Sequence, residues 1–234
     1  MIDYLCRKVH NLTHPVLGRI LMLHRVVEQR SKGQNCELEI TPDFLRQTIE
    51  DYRRQGYRFV SIDEVCDIIG KGRTDQPFVC LTFDDGYSDN FTIAYPILKR
   101  LNVPFAIYVT TGYIDGTAKM WWYDETNVMN WEQLKKLSID PLCTIGAHTI
   151  SHPRLTTLSD KDAREEIFSS KQRLMEILGM PVNHFSYPHG DYNADILHIV
   201  KKAGFHTSLK AWGGNVRKGD AQLLELPRIE LRET

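Results

Sequence analysis

The sequence predicts an α/β fold, a closed or partly open (β/α) barrel of about seven strands in a single domain, from three observations. Short apolar runs rich in Val, Ile and Phe recur along the chain; each is followed by a segment of helical periodicity; and no fixed-period repeat or low-complexity tract breaks the alternation. With 234 residues, 42% of them hydrophobic and 25% charged, the chain can bury one large core.

Each element has its own signature. RILMLHRV, residues 19–26, is a strand. TPDFLRQTIEDYRRQG, 41–56, opens on a Thr cap with Pro in the first turn, runs helical and stops at Gly. YRFVS is strand-like and IDEVCDIIG helical; PFVCLTF, 77–83, is a strand, and SDNFTIAYPILKRL after it a helix. VPFAIYVT and CTIGAH are strands around the helix WEQLKKL, and the longest expected loop spans about residues 111–130. SDKDAREEIFSSKQRLMEILG is a long helix, HFSYP a strand, NADILHIVKKAG a helix and FHTSLKA a strand.

Composition excludes some classes of function. The formal net charge is -1 and the basic residues are dispersed, which argues against a nucleic-acid surface. Cys6, Cys36, Cys66, Cys80 and Cys143 form no C-x-x-C pair, and the reading is buried thiols in a reducing compartment. Residues 1–16 have Ile2, Leu5, Val9 and Leu12 at helical spacing. They are expected to form a helical segment packed on the domain, with a membrane-surface helix as the alternative. Residues 17–234 would form the single globular domain. No apolar run is long enough for a signal h-region or a membrane span, so the expected location is cytoplasmic.

In such a fold active sites gather where strands end. TFDDGY, 82–87, puts two adjacent carboxylates at such an end; Asp85-Gly86 suits a turn, yet one turn does not explain two acids beside a buried strand. GAHTISHP, 146–153, leaves the next junction with two histidines four apart. Imidazoles so spaced can face one another around a divalent ion, with a carboxylate from a neighbouring strand end as third ligand. The alternative is that His148 packs under the loop and His152, before Pro153, only turns the chain. FSYPHGDY, 185–192, ends a third strand in a tight turn whose backbone N–H groups could form an oxyanion hole.

These three motifs, in this order over about residues 77–230, resemble the polysaccharide deacetylases of carbohydrate esterase family 4. The resemblance implies a distorted (β/α) barrel and a metal-dependent hydrolase that removes acetyl groups from N-acetylated sugars in a polysaccharide or its precursor. It implies that Asp84 is the general base and that Asp85, His148 and His152 hold the metal. Zinc suits these ligands first, while nickel, cobalt or manganese would also fit. A backbone N–H at His189 would meet the developing oxyanion, with Tyr187 of the same turn facing the substrate.

The sequence departs from the family pattern. Ser186 stands where motif three usually has the Arg that pairs with the catalytic Asp, and neither a D-x-x-D-W nor a late L-x-H motif follows. The chain is similar instead to a permuted subgroup, with F-x-Y-P-x-G, a late LPR and an early LHRV. That similarity implies that His24 is the general acid and that Arg228 replaces the missing partner of Asp84. The alternatives are a satisfied histidine at a strand end and a structural ion pair. Trp122, or its neighbours Trp121 and Tyr123, could line a glycan cleft or simply pack a long excursion; Trp212 is a weaker candidate for the same role. Two other readings stay open: hydrolysis of another amide on the same fold, and a non-catalytic glycan-binding relative.

Overall fold

The structure is a computed structural model that describes residues 14–33, 36–120, 122, 127–219 and 222–233. The helical segment expected over residues 1–16 lies, up to residue 13, outside the described residues, as do Cys6, Trp121 and Tyr123.

In chain order the strands are β1 (Val16–Leu23), β2 (Arg25–Val26), β3 (Glu39–Ile40), β4 (Arg58–Phe59), β5 (Phe78–Phe83), β6 (Phe105–Val109), β7 (Cys143–Ala147), β8 (His184–Ser186), β9 (Thr207–Gly213), β10 (Val216–Arg217) and β11 (Leu226–Glu230). The helices are α1 (Pro42–Arg54), α2 (Ile62–Lys71), α3 (Tyr95–Arg100), α4 (Thr111–Asp115), α5 (Trp131–Ser138), α6 (Asp160–Leu178) and α7 (Ala194–Lys202). Seven parallel strands close into a ring in the order β1, β5, β6, β7, β8, β9, β11 and back to β1. The expected barrel is therefore fully closed. β10 lies antiparallel against the start of β1, and β4 adds two residues beside β5, so YRFVS contributes less strand than its composition suggests.

β5 reads as an unbroken apolar run because both of its faces are covered. Val79, Leu81 and Phe83 join the larger core under the outer helices, with Ile97 and Leu98, whereas Phe78 and Cys80 meet Ile20, Tyr108 and Leu226 in a second cluster. Gly146 belongs to the strand that carries His148: a Cβ there would fall 2.5 Å from the Tyr108 ring. Any side chain at that point would push β7 off its neighbour and displace the motif that follows.

The helices start where the sequence marks them. Thr41 caps α1 by accepting from the Phe44 N–H at 3.2 Å, and Ser159 caps α6 the same way from Asp162. α6 buries Ala163, Ile167, Ser170 and Leu174, the i, i+4, i+7, i+11 stripe of an amphipathic helix. α2 packs Val65 and Ile68 against the second cluster. The segment after TFDDGY opens with a π-turn over Asn90–Ala94 before α3, and Pro96, with no N–H to donate, sits where the ladder changes pitch. The expected loop after β6 begins with the short helix α4. The four described cysteines are all unpaired, and no helix among the described residues is long and apolar enough to cross a membrane.

Candidate active site

The C-terminal ends of the strands surround a cavity of about 210 Å³ lined by His24, Asp84, Asp85, His148, His152 and Arg228, among others. Two carboxylates reach it from one strand end because the backbone breaks its alternation. The Asp84 N–H still bonds the Leu23 carbonyl at 3.0 Å, so Asp84 continues the β5 ladder. Asp85 then takes φ 72°, and the Gly86 N–H bonds the Asp84 carbonyl at 2.9 Å, closing a three-residue γ-turn. The turn brings the second acid back to the cavity that the first one faces.

Such backbone recurs around the cavity. Of five described non-glycine residues with positive φ, four are Asp85, Thr149, His152 and His189. Each costs of order 1–3 kcal/mol and persists only where its surroundings over-determine it.

Asp85 Oδ1 lies 3.6 Å from His148 Nε2 and 3.5 Å from His152 Nε2, and one ligand atom from each residue falls within 4.8 Å of the others. His148 Nδ1 is 2.8 Å from the Ser186 carbonyl, which holds the proton on Nδ1 and leaves Nε2 with a free lone pair. Burial lowers the pKa of His148 to about 4 and that of His152 further, so both rings are neutral. Burial, and then the Asp84 charge, push the Asp85 carboxyl up to about 8. Its Oδ1 is buried without a hydrogen-bond partner. Buried polar atoms are rarely left so. One carboxylate oxygen and two neutral imidazoles form a donor set that fits a divalent ion with coordination positions to spare.

Asp84 is tied off differently. Arg228, from β11 across the ring, donates to both of its oxygens at 2.8 and 2.7 Å, and also to Ser186 Oγ at 2.9 Å and Thr82 Oγ1 at 3.2 Å. Burial acts to raise the Asp84 pKa, but the guanidinium and the nearby histidines outweigh it and hold the carboxyl well below the usual range. Asp84 is therefore held ionised, while burial and the Asp84 charge oppose ionisation of its neighbour in the chain. His24, the first residue after β1, lines the same cavity, and its carbonyl accepts from Asn90 Nδ2 at 2.8 Å. Burial lowers its pKa, and the Asp84 charge opposes that shift.

The remaining candidates surround this pair. His189 sits at φ 57° between two backbone bonds of its turn, Gly190 N–H to the Tyr187 carbonyl and Asp191 N–H to the Pro188 carbonyl. Its ring centroid is 4.4 Å from that of His152. Tyr187 lines the cavity and donates its hydroxyl to the Leu224 carbonyl at 3.1 Å. Trp122 also lines it, packs on His152 with centroids 4.8 Å apart and donates to the Tyr87 hydroxyl at 3.0 Å. Trp212 is 58% exposed, with its ring edge against Gly190. His184 is not in this group: it bonds Thr207 and Asp63 beside a different cavity.

Sequence reasoning missed the supports behind His24. Asp89 accepts from the Val26 N–H at 3.1 Å and from Arg25 at 2.9 Å, and Arg25 reaches Glu39 at 3.2 Å. The signal is the pair Asp89-Asn90, one residue beyond TFDDGY, where a purely amphipathic helix has no need of two buried polar residues.

Comparison with known proteins agrees with this geometry. The sequence profile of the family described as Polysaccharide deacetylase matches residues 71–208. The chain is 27% identical over 171 residues to the peptidoglycan-N-acetylmuramic acid deacetylase PdaA of Bacillus subtilis, covering 70% of this chain and 60% of that protein. It is 24% identical over 160 residues to the poly-beta-1,6-N-acetyl-D-glucosamine N-deacetylase of Staphylococcus aureus, covering 63% of this chain and 52% of that one. The chain thus spans about half to three-fifths of the length of the curated relatives it matches. The Streptococcus pyogenes deacetylase PplD, solved in complex with acetate, superposes with a TM-score of 0.78 at 27% identity, covering 93% of each chain. With three motifs gathered at one barrel mouth and more than half of its length matched by the profile, this chain belongs to the polysaccharide deacetylase family.

Proposed function

We propose that the protein is a metal-dependent hydrolase that removes the acetyl group from an N-acetylated sugar in a polysaccharide or its precursor. The observation that carries this reading is the buried Asp85 Oδ1, without a hydrogen-bond partner and facing two neutral imidazoles, beside an Asp84 that Arg228 keeps ionised. The names of the two curated relatives, both N-deacetylases of acetylated amino sugars, support the substrate class.

Asp85, His148 and His152 would hold the ion, zinc in the first place. A divalent ion so held supplies Lewis acidity toward the acetamide carbonyl and lowers the pKa of the attacking water. Asp84 takes the proton from that water. A carboxyl held so acidic gives that proton up again, and His24, lining the same cavity, is the group that takes it. His24 gives a proton to the departing amine, which cannot leave as an anion. The His189 N–H faces the oxygen that gains charge, and preorganised backbone donors are most effective in a site from which water is excluded. Tyr187 and Trp122 wall the sugar, with Trp212 at the rim.

Metal analysis of the purified protein, followed by acetate release from N-acetylglucosamine oligomers and from peptidoglycan fragments, tests the reading. The expected result is one divalent ion per chain and acetate released in step with free amine. A metal-loaded protein that releases no acetate from any N-acetylated glycan overturns it.

A further inference from the structure

We propose that Glu166, on the outer helix α6, is a positioning residue for the metal centre, holding the loop that presents His152. The inference rests on Asp85, His148 and His152 forming that centre. Glu166 Oε2 accepts from two successive backbone N–H groups, those of Ile150 at 2.8 Å and Ser151 at 2.9 Å, and Oε1 accepts from the Ser151 hydroxyl at 2.5 Å. One carboxylate thus gathers every donor on the middle of the loop between the two histidines.

The loop needs such a tie. Thr149 and His152, on either side of the clasped pair, both sit at left-handed φ, 67° and 60°. A β-branched threonine disfavours that conformation, and so does any residue whose Cβ meets the following carbonyl. Three further bonds hold the segment from within and from α4. The His152 N–H donates to Thr149 Oγ1 at 3.0 Å, the Thr111 N–H to the Thr149 carbonyl at 3.1 Å and the Gly112 N–H to the Ile150 carbonyl at 2.8 Å. Position 112 must be bare for that last contact, since a Cβ there would stand 2.5 Å from the Ile150 oxygen. These bonds fix the ends and one face of the loop, and Glu166 supplies the opposite face.

The anchor is rigid. Glu166 precedes Ile167, which is fully buried in the stripe that seats α6 on the barrel, so its carboxylate is fixed relative to β7. His152 itself has no such anchor on its ring: Nδ1 is buried without a hydrogen-bond partner, in contrast to His148, whose Nδ1 meets the Ser186 carbonyl. His148 is oriented through its ring and His152 through its backbone. Glu166 therefore does for the second histidine what a hydrogen-bonded carbonyl does for the first.

Cobalt(II) titration of the metal-stripped full chain tests this, reading the dissociation constant and the visible absorption of the bound ion at a temperature where circular dichroism shows each variant folded. Glu166→Ala should weaken cobalt about 10- to 100-fold, the usual effect of removing an outer-shell partner, and should change the absorption spectrum. Glu166→Gln, which keeps an oxygen for the two N–H groups, should recover most of the loss. Should Glu166→Ala fail to fold, Glu166→Asp, which withdraws the carboxylate by one methylene, should weaken cobalt several-fold with the fold intact. Wild-type affinity and spectrum in the folded variants, with only a lower melting temperature, would show that Glu166 supports the fold alone and overturn the inference. A wild-type protein that binds no cobalt would instead remove the metal centre itself, and this inference with it.

Discussion

The barrel has a histidine and acids at each end, and only one end has the features of a reaction site. At the base, a cavity of about 290 Å³ is lined by His184, Asp63 and Asp140 among others. Both nitrogens of His184 are engaged, with Thr207 Oγ1 at 2.8 Å and Asp63 Oδ1 at 3.1 Å. Asp140 accepts from the Tyr95 hydroxyl at 2.6 Å, Lys99 at 2.9 Å and the Leu142 N–H at 3.0 Å, and with these donors its carboxyl is held at about 2. At the mouth, Asp85 is pushed the other way, to about 8, and its inward oxygen has no partner. The same residue types are saturated at one end and left with unused valence at the other. A functional site is marked by interactions that the protein withholds from itself, held in place by backbone that would otherwise relax.

The largest effect expected from this contrast is at the two histidines of the mouth. His148→Ala or His152→Ala should lower bound metal by more than the ~100-fold typical of an outer-shell loss and take acetate release to background. Full metal occupancy in both variants would erase the distinction between the ends. Next comes Asp84→Asn, which should retain the ion yet lose about 10²–10⁴ in turnover, the range for a general base. It should also unfold more easily, by about 3–5 kcal/mol, because Arg228 is left buried and unpaired. Loss of the ion in that variant would reverse the roles of the two aspartates.

His24→Ala should cost at least ~100-fold on an N-acetyl sugar and far less on an activated acetate ester, whose leaving group needs no proton. Equal losses on both would return His24 to a structural part. A smaller and purely thermodynamic effect concerns Asp85. Its folded pKa is raised above the ~3.9 of an unfolded carboxyl, so in the metal-free protein this group's contribution to stability is greatest below that value and declines as pH climbs to about 8. The metal-free protein should therefore lose stability to urea as pH rises from about 4 to about 8, a loss that Asp85→Asn should lack. The same loss in that variant would contradict the raised pKa. At the base, His184→Gln should cost about 1–3 kcal/mol of stability and leave metal and activity unchanged. A loss of activity there, in folded protein, would make the two ends less different than they look.

Much of this was legible in the sequence, for identifiable reasons. Strand β5 and the loop after β7 are contiguous stretches, so TFDDGY and GAHTISHP declare both their element and their polar exit. The return of Asp85 to the cavity is not legible, because strand alternation predicts the opposite and only the γ-turn reverses it. Arg228 could be paired with Asp84 only by resemblance: the partners are 144 residues apart, and nothing local to LELPRIEL marks an inward arginine. β11 itself is not legible as a strand, because Pro227 interrupts its apolar alternation. Glu166 was hidden in SDKDAREE, where several acids at a helix start read as an ordinary solvated face.

The pairing of β1 with both β5 and β11 has a consequence for how the protein comes into being. In a ring the last strand to arrive completes every neighbour at once, and contacts of such sequence separation form slowly because a long loop must close first. During synthesis Asp84 emerges long before Arg228, so until β11 docks it is a carboxylate beside an open seam with no counter-charge. The base proposed for the reaction thus meets its counter-charge in the same event that seals the barrel. If the proposed chemistry holds, activity in this chain reports that folding has run to its final strand.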